Sequence, residues 1–526
     1  MLIKRKYTSH TLIIITIKTL YLSIHKHRNS MCSEVTKYPP GPNYKIPGRL
    51  VHQFIKDPIK TLWAISQEYG DISYFKLGPK QHIYLINNPD YIEKILIFDH
   101  RNFKKGKRLQ TAKSLLGEGL ITSEGDFHNR QRRLIQPIFH PKRIMEYAKI
   151  MTDYAIRFRD RWKNTDTIDI SQEMMGLTLG IICKSVLNYD VESEVKQVGK
   201  ALTTTRNYSK RLQNPIGQVI DKIPILPAPK GAREAKQELD SLVYGVISDR
   251  RRHNDKQPGA GDNNAYNDLV SRLLDAQEDS NLPGSAPPPP STAGAQLSPD
   301  GKMSDKQVRD EVMTIFIAGH ETTANALTWT FYLLSQHPDI EEKLHNEIDS
   351  VLGDNDGKSG GSVRDHDNTV RGRIPTADDV PKLQYTEKVL RESMRLYPPV
   401  WSIGRYVETD YQVGEYTIPA GSSLLMSQYV MHHDPRYYEE PEQFNPDRWT
   451  AEFKTKLPRF SYFPFGGGIR GCIGEPFAWM EGVLVIATIA QKWSMRLVPG
   501  QRIKLDPAIT LRSKYGMKMK LVQRKS

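Results

Sequence analysis

Between Phe465 and Gly474 the chain reads Phe-Gly-Gly-Gly-Ile-Arg-Gly-Cys-Ile-Gly, and an apolar helical pattern follows from Pro476 to Trp493. Few folds accept such a run. The glycines let the backbone turn tightly around one side chain, the thiol of Cys472. That thiol stands just before a helix N-terminus, whose positive end favours anionic sulfur. A cysteine thiolate can ligate haem iron, push electron density onto the metal and favour O–O cleavage. Arg470, two residues earlier, is within reach of a haem propionate. A lone cysteine is more often a small buried hydrophobe, but three glycines, Phe465, Arg470 and Cys472 in one short register rarely arise by chance.

The second constraint is Ala318-Gly-His-Glu-Thr-Thr323, set inside the apolar stretch Val312–Leu334. By length this stretch approaches a membrane span, yet Glu321 at its middle would cost about 2.5 kcal/mol or more in lipid. A long buried helix is the better expectation. Thr322 and Thr323 can bond back to the preceding turn and loosen the helix there.

Composition sets the class. Of 526 residues, 38% are hydrophobic and 25% charged, ordinary values for a globular protein. Disorder, collagen-like repeats and a multi-span membrane protein are excluded. Three cysteines provide no disulfide framework, which favours a reducing compartment and a cytoplasmic location. The formal charge is +14, and the segment from Arg101 to Arg143 holds eleven Lys and Arg against Glu118, Glu124 and Asp126. A basic face of this kind suits an acidic partner; with no zinc-finger or RNA-binding signature, nucleic acid is not expected.

Helical periodicity dominates the middle of the chain, and strand patterns stand at Asp71–Gly78, His82–Ile86 and after Val407. Asn88–Leu96 has a capping residue and helical spacing. The fold class expected is mostly α with a smaller β-rich part (α+β), one catalytic domain over 36–526. Two low-complexity stretches, 254–302 and 352–373, read as surface insertions without core-forming composition. Residues 1–30 form a basic leader with an apolar run of about a dozen residues, short of the roughly 20 needed to span a bilayer. It offers at most a weak membrane contact, or is an artefact if translation starts at Met31.

The cysteine run matches the F-x-x-G-x-R-x-C-x-G loop of the cytochrome P450 family at every fixed position, and the chain resembles that family in three further places. Ala318–Thr323 is similar to its oxygen-binding helix. Glu392-Ser-Met-Arg395, followed by Leu396-Tyr-Pro-Pro399 and Phe444-Asn-Pro-Asp-Arg448-Trp449, is similar to its structural Glu–Arg–Arg triad. Gly125–Phe139 resembles the W-x-x-x-R helix, with Arg132 on the arginine and His128 where tryptophan is usual. The resemblance spans about Pro39 to Leu521.

This resemblance implies haem b held between the long central helix and the cysteine loop, with Cys472 as the iron ligand. Arg470, Arg132, His128 and Phe465 would hold the cofactor, and Glu321 and Thr322 would relay protons for dioxygen activation. It implies a monooxygenase whose electrons come indirectly from NAD(P)H through a separate ferredoxin, flavodoxin or reductase. The separate donor is expected because no Cys cluster or second dinucleotide fold is apparent. Arg130 and Arg133 suit a docking face for an acidic electron-transfer protein. Apolar Leu115, Leu116, Val400, Trp401 and Ile403 suggest a hydrophobic substrate such as a fatty acid, terpenoid or polyketide. Two alternatives are a peroxide-using or isomerising haem-thiolate enzyme and a non-catalytic haem-binding protein. The intact Glu321–Thr322 pair argues against both.

Overall fold

The computed structural model describes residues 38–43, 48–78, 80–110, 112–189, 198–205, 208, 230–256, 268–275, 302–353 and 372–524. The leader and most of the two low-complexity stretches lie outside the described residues.

The strand patterns near the N-terminus form β1 (Ile72–Lys76) and β2 (His82–Ile86), antiparallel with Ile72 opposite Ile86. β3 (Phe103–Lys105), β5 (Ile403–Val407) and β6 (Ser423–Met426) complete a sheet ordered β1-β2-β6-β5-β3. The β2–β6 pairing is parallel and joins segments more than 300 residues apart, so the sheet ties the two ends of the chain together across the helical part. A second sheet pairs β4 (Thr167–Asp169) and β7 (Trp493–Leu497) with β10 (Lys518–Gln523) between them. A hairpin of β8 (Leu505–Pro507) and β9 (Leu511–Ser513) lies between β7 and β10 in sequence.

The helices that position the site are α1 (Gly125–Ile135), α2 (Pro141–Arg161), α3 (Ile170–Leu187), α4 (Lys230–Lys256), α5 (Asp305–Gln336), α6 (Gln384–Leu396) and α7 (Glu475–Ala490). Leu177 and Ile181 of α3, Val312, Phe316 and Leu327 of α5, and Val485 and Ile489 of α7 share one buried cluster. α5 has 32 residues and starts seven before the apolar run. Its start is fixed by a capping box: Gln307 N donates to Ser304 Oγ at 3.3 Å and Ser304 N to Gln307 Oε1 at 2.8 Å. Apolarity missed the first turns, where Gln307, Arg309, Asp310 and Glu311 are polar yet buried.

Three expectations are corrected. Within 254–302, Leu269–Asp275 is a helix whose Leu269, Val270, Leu273 and Leu274 join the main core, and Arg250 pairs with Asp268 at 2.8 Å beside it. A short apolar cluster was hidden by the polar composition around it. Asn88 caps a helix as expected, but that helix ends at Glu93 and continues as a π-helical turn, Lys94–Phe98. Trp401 does not stand with Leu115 and Leu116; it packs in a separate cluster with Phe54, Phe75 and Leu511 and donates to Ala508 O at 2.9 Å.

Candidate active site

The loop from Phe465 to Gly474 is built as its glycines require. Gly466 and Gly468 take φ of +71° and +69°, a region costly for other residues. At Gly468 a Cβ would lie 2.0 Å from Leu96 O in the π-helical turn, so only glycine lets the loop sit on that turn. Cys472 N donates to Phe465 O at 3.0 Å, which closes the loop, and the Phe465 ring lies 5.8 Å from that of Trp479.

The Cys472 side chain is accessible, yet protein is closely packed around it. Desolvation therefore pushes its thiol up to about 11, against the opposing pull of the Gly474 and Glu475 amides and Arg132. The helix end pulls in the direction expected from sequence, but burial outweighs it while no cation is bound. A bound metal cation deprotonates a coordinating thiol outright.

Beside the loop lies a cluster of buried cations. Antiparallel pairing of β3 and β5 sets Lys105 directly opposite Arg405, and like charges in that position repel. Arg470 approaches both. Burial, the largest cause in each case, lowers Lys105 to about 7 and Arg405 to about 9; Arg470 lowers both further, and Glu124 pulls the other way. Arg470 donates to Glu124 Oε2 at 2.6 Å and to Phe103 O at 3.1 Å. Its Nε and Nη1 are buried with no hydrogen-bond partner among the described residues. Three guanidinium and ammonium groups thus stand near one carboxylate; Lys105 Nζ spends its donors on Leu120 O and Ser123 O, and the spare donors are the two on Arg470. That donor set fits a dianionic group such as the two propionates of haem.

His128 braces this cradle. Its Nδ1 lies 3.3 Å from Lys105 Nζ and 3.2 Å from Ser123 Oγ, and its Nε2 lies 3.3 Å from Ile469 O. A carbonyl only accepts, so the ring proton belongs on Nε2. Burial first, then Lys105, lowers His128 to about 4, so it is neutral. Both nitrogens are engaged by protein groups, where the reading from sequence had expected a propionate donor. Arg132 Nη1 donates to Gly471 O at 2.7 Å and ties α1 to the cysteine loop. Arg133 is exposed as expected of a docking residue, whereas Arg130 is buried and does not belong to that face. Lys105 and Arg405 were not found from sequence; no motif marks them, and only strand register brings them together.

On α5, every residue from Gln307 to Phe331 is buried except Ile317, Ala318, Gly319 and Thr322. An otherwise buried helix is thus open along one short stretch, the stretch singled out by sequence. Thr322 Oγ1 donates to Ala318 O at 2.6 Å. Glu321 turns the other way: its Oε1 accepts from Thr510 Oγ1 and, at 2.7 Å, from Arg512 Nε of β9. The acid and the alcohol are neighbours in sequence and are committed to different partners.

The Glu392–Arg395–Arg448 triad forms fully. Arg395 makes a two-pronged pair with Glu392 at 2.9 Å and donates to His432 O, Pro441 O and Gln443 O. Arg448 Nε and Trp449 Nε1 donate to the same carboxylate at 2.9 and 2.8 Å.

A haem-ligand loop, a cation cradle and an opened long helix together define a haem-thiolate architecture. The chain belongs to the cytochrome P450 family, whose model matches residues 39–520. It is 34% identical to cyclooctatin synthase of Streptomyces melanosporofaciens over 87% of this chain and 89% of that protein. It is 33% identical to cyclooctat-9-en-7-ol 5-monooxygenase of the same organism, over 82% and 84%. It is 28% identical to pentalenene oxygenase of Streptomyces avermitilis, over 90% and 94%. The fold matches the crystal structure of the cytochrome P450DA heme domain with a TM-score of 0.74 at 22% identity, covering 93% of this chain and 98% of that one. The protein is accordingly a haem-dependent oxidoreductase of the monooxygenase class, using electrons derived from NAD(P)H. Among the described residues, no helix is long and apolar enough to cross a membrane.

Proposed function

We propose that Cys472 ligates the haem iron and that the protein oxygenates a hydrophobic, terpenoid-like substrate with electrons from a separate acidic redox protein. The observation that carries this reading is an accessible cysteine beside buried cations that lack enough anion. Arg470, Arg405 and Lys105 would meet the propionates, with Arg132 and His128 bracing the loop that carries them and Phe465 shielding its inner side. Bound haem supplies dioxygen activation, one oxygen atom passing to substrate and the other leaving as water.

The chain's own residues do the rest. Thr322 holds a hydroxyl on the open stretch of α5; with its proton given to Ala318 O, it presents an acceptor to the cleft and would donate there only on turning from that carbonyl. Glu321, the preceding residue, holds a carboxylate in contact with Arg512 and Thr510, and protons would reach Thr322 from that side. Apolar Leu115, Leu116 and Ile315 keep water from the cleft, which favours reaction over leakage of reduced oxygen. The names of two relatives specify an unsaturated alcohol and an unsaturated hydrocarbon, cyclooctat-9-en-7-ol and pentalenene, as what those proteins act on. Both are apolar skeletons of the kind this lining suits. The basic segment 101–143, with exposed Arg133, Lys142 and Arg143, supports an acidic electron donor. A cytoplasmic location is the accompanying proposal.

The test is the carbon monoxide difference spectrum of the dithionite-reduced protein. A red-shifted Soret band that disappears in Cys472→Ala supports thiolate ligation by this residue. A histidine-like band position in the wild type, or a band unchanged by the substitution, overturns it.

A further inference from the structure

Three consecutive side chains of α5 reach one short segment. Arg309 Nη2 donates to Leu115 O at 3.0 Å, Glu118 N donates to Asp310 Oδ2 at 2.9 Å, and Leu120 N donates to Glu311 Oε2 at 2.8 Å. All three α5 side chains are buried. The approach depends on two glycines. A Cβ at Gly117, where φ is +63°, would lie 2.2 Å from the Asp310 carboxyl; one at Gly119 would lie 2.1 Å from Thr314 Oγ1 and 2.4 Å from Asp310 O.

The same side chains are anchored behind. Arg309 Nε donates to Asp240 of α4 at 2.8 Å, Arg309 Nη1 to Asp310 at 2.9 Å, and Lys306 Nζ to Asp310 at 3.0 Å. Leu120 is held from its other side too, because its carbonyl accepts from Lys105 Nζ at 2.7 Å. Residues 115–120 are therefore fastened at one edge to the cation cradle and at the other to α5.

Helical spacing places this fastening beside the cleft. Positions 311, 315, 318 and 322 fall on one face of α5. Glu311, which grips Leu120, thus lies on the face that opens at Ala318 and Thr322, two turns away. Leu115, Leu116 and Leu120 are buried in the same core as Ile315. The segment therefore stands against α5 at the N-terminal end of that open stretch.

We propose that Arg309, Asp310 and Glu311 act as a strap: they hold residues 115–120 closed over that end and set how fast a hydrophobic ligand reaches the cleft. They are positioning residues. The inference rests on the cleft being the ligand site, as proposed above. Lifting the segment requires three bonds to break together: Glu118 N from the Asp310 carboxylate and Leu115 O from the Arg309 guanidinium, both charge-assisted, and Leu120 N from Glu311, whose carboxyl burial pushes up to about 8. The glycines at 117 and 119 give the segment the backbone freedom to lift.

The experiment compares the haem-loaded wild type with Asp310→Asn, Glu311→Gln and Gly119→Ala. Stopped-flow absorbance follows association of 4-phenylimidazole with the haem iron, and hydrogen exchange follows the amides of 115–122. The strap predicts association faster by about tenfold in the carboxamide variants, and exchange at Glu118 and Leu120 faster by a similar factor, with the carbon monoxide band unchanged. Gly119→Ala, which pushes the segment off α5 without touching a carboxylate, should act in the same direction and covers the case where a carboxamide variant does not fold. A residue of merely structural importance would lower the thermal midpoint and leave association unchanged. Association rates within twofold of wild type in all folded variants overturn the strap. If the wild type itself shows no thiolate band, the reading of the active site has failed separately, and exchange at Glu118 and Leu120 then decides alone: unchanged protection overturns the strap.

Discussion

Two clusters of buried charge lie in this molecule, and they are built from the same kinds of residue. Around Glu392, two arginines, a tryptophan N–H and a backbone N–H converge on one carboxylate, and the remaining arginine donors find carbonyl oxygens. Around Arg470, two further cations share Glu124 as their nearby carboxylate, and two of the Arg470 guanidinium nitrogens are left without a partner among the described residues. The first cluster is complete within the chain, and the second is complete only with an added anion. Degree of satisfaction, more than burial or charge, separates an ion cluster that braces a fold from one built to receive a ligand.

The contrast is best broken at Glu392. Glu392→Gln leaves Arg395 and Arg448 buried without a counter-charge, and we expect a loss of about 3–5 kcal/mol in urea unfolding, or no soluble protein. A smaller loss would mean the triad is less complete than its geometry shows.

Lys105 should behave in the opposite way in haem-free protein. The unfolded lysine keeps its proton up to the ordinary 10.5, whereas the folded one releases it near 7. The folded state therefore binds fewer protons between those values, and stability rises with pH across that window. Below pH 7 the charged form carries its full desolvation cost. Lys105→Met removes that titration, so its stability relative to wild type should fall by a few kcal/mol, by order of magnitude, between pH 7 and 10. Parallel pH profiles for the two proteins would show that the lysine is already neutralised.

Arg405→Gln sharpens the comparison further. It removes one of two cations that repel across a strand pair, so haem-free stability should hold or rise by up to about 1 kcal/mol. Haem retention, read as transfer to apomyoglobin, should instead become faster. Destabilisation comparable to that of Glu392→Gln would place Arg405 with the bracing cluster. At the low end, Lys456→Ala breaks an exposed helical pair with Glu452 and should change the unfolding midpoint by no more than about 0.5 kcal/mol.

Legibility from sequence follows the same division. The cysteine loop, the middle of α5 and the Glu392-x-x-Arg395 pair are local patterns, and local backbone preferences carry them into the structure. The first strands and the Asn88 cap were readable for the same reason. Lys105 and Arg405 were not, because strand register between distant segments makes them neighbours. The strap escaped notice because Arg309, Asp310 and Glu311 read as an ordinary charged helix start, and their partners are backbone groups nearly 200 positions away. Trp401 looked like a pocket residue because apolar composition says nothing about which side of a sheet it packs on. At Cys472 the motif was legible but the balance was not: desolvation outweighs the helix end, so the thiolate depends on a bound cation as well as on the loop.

Glu321 is held by Thr510 and Arg512, and Leu521 N bonds back to Asp166 O while β10 inserts between β4 and β7. During synthesis, Glu321 therefore leaves the ribosome about 190 residues before the arginine that orients it. The helix, the cysteine loop and the cradle can all be in place while this carboxylate still lacks its guide. A nascent chain stalled between the cysteine helix and β9 would carry every recognisable motif yet lack both Thr510 and Arg512, the hydroxyl and the guanidinium that meet this acid.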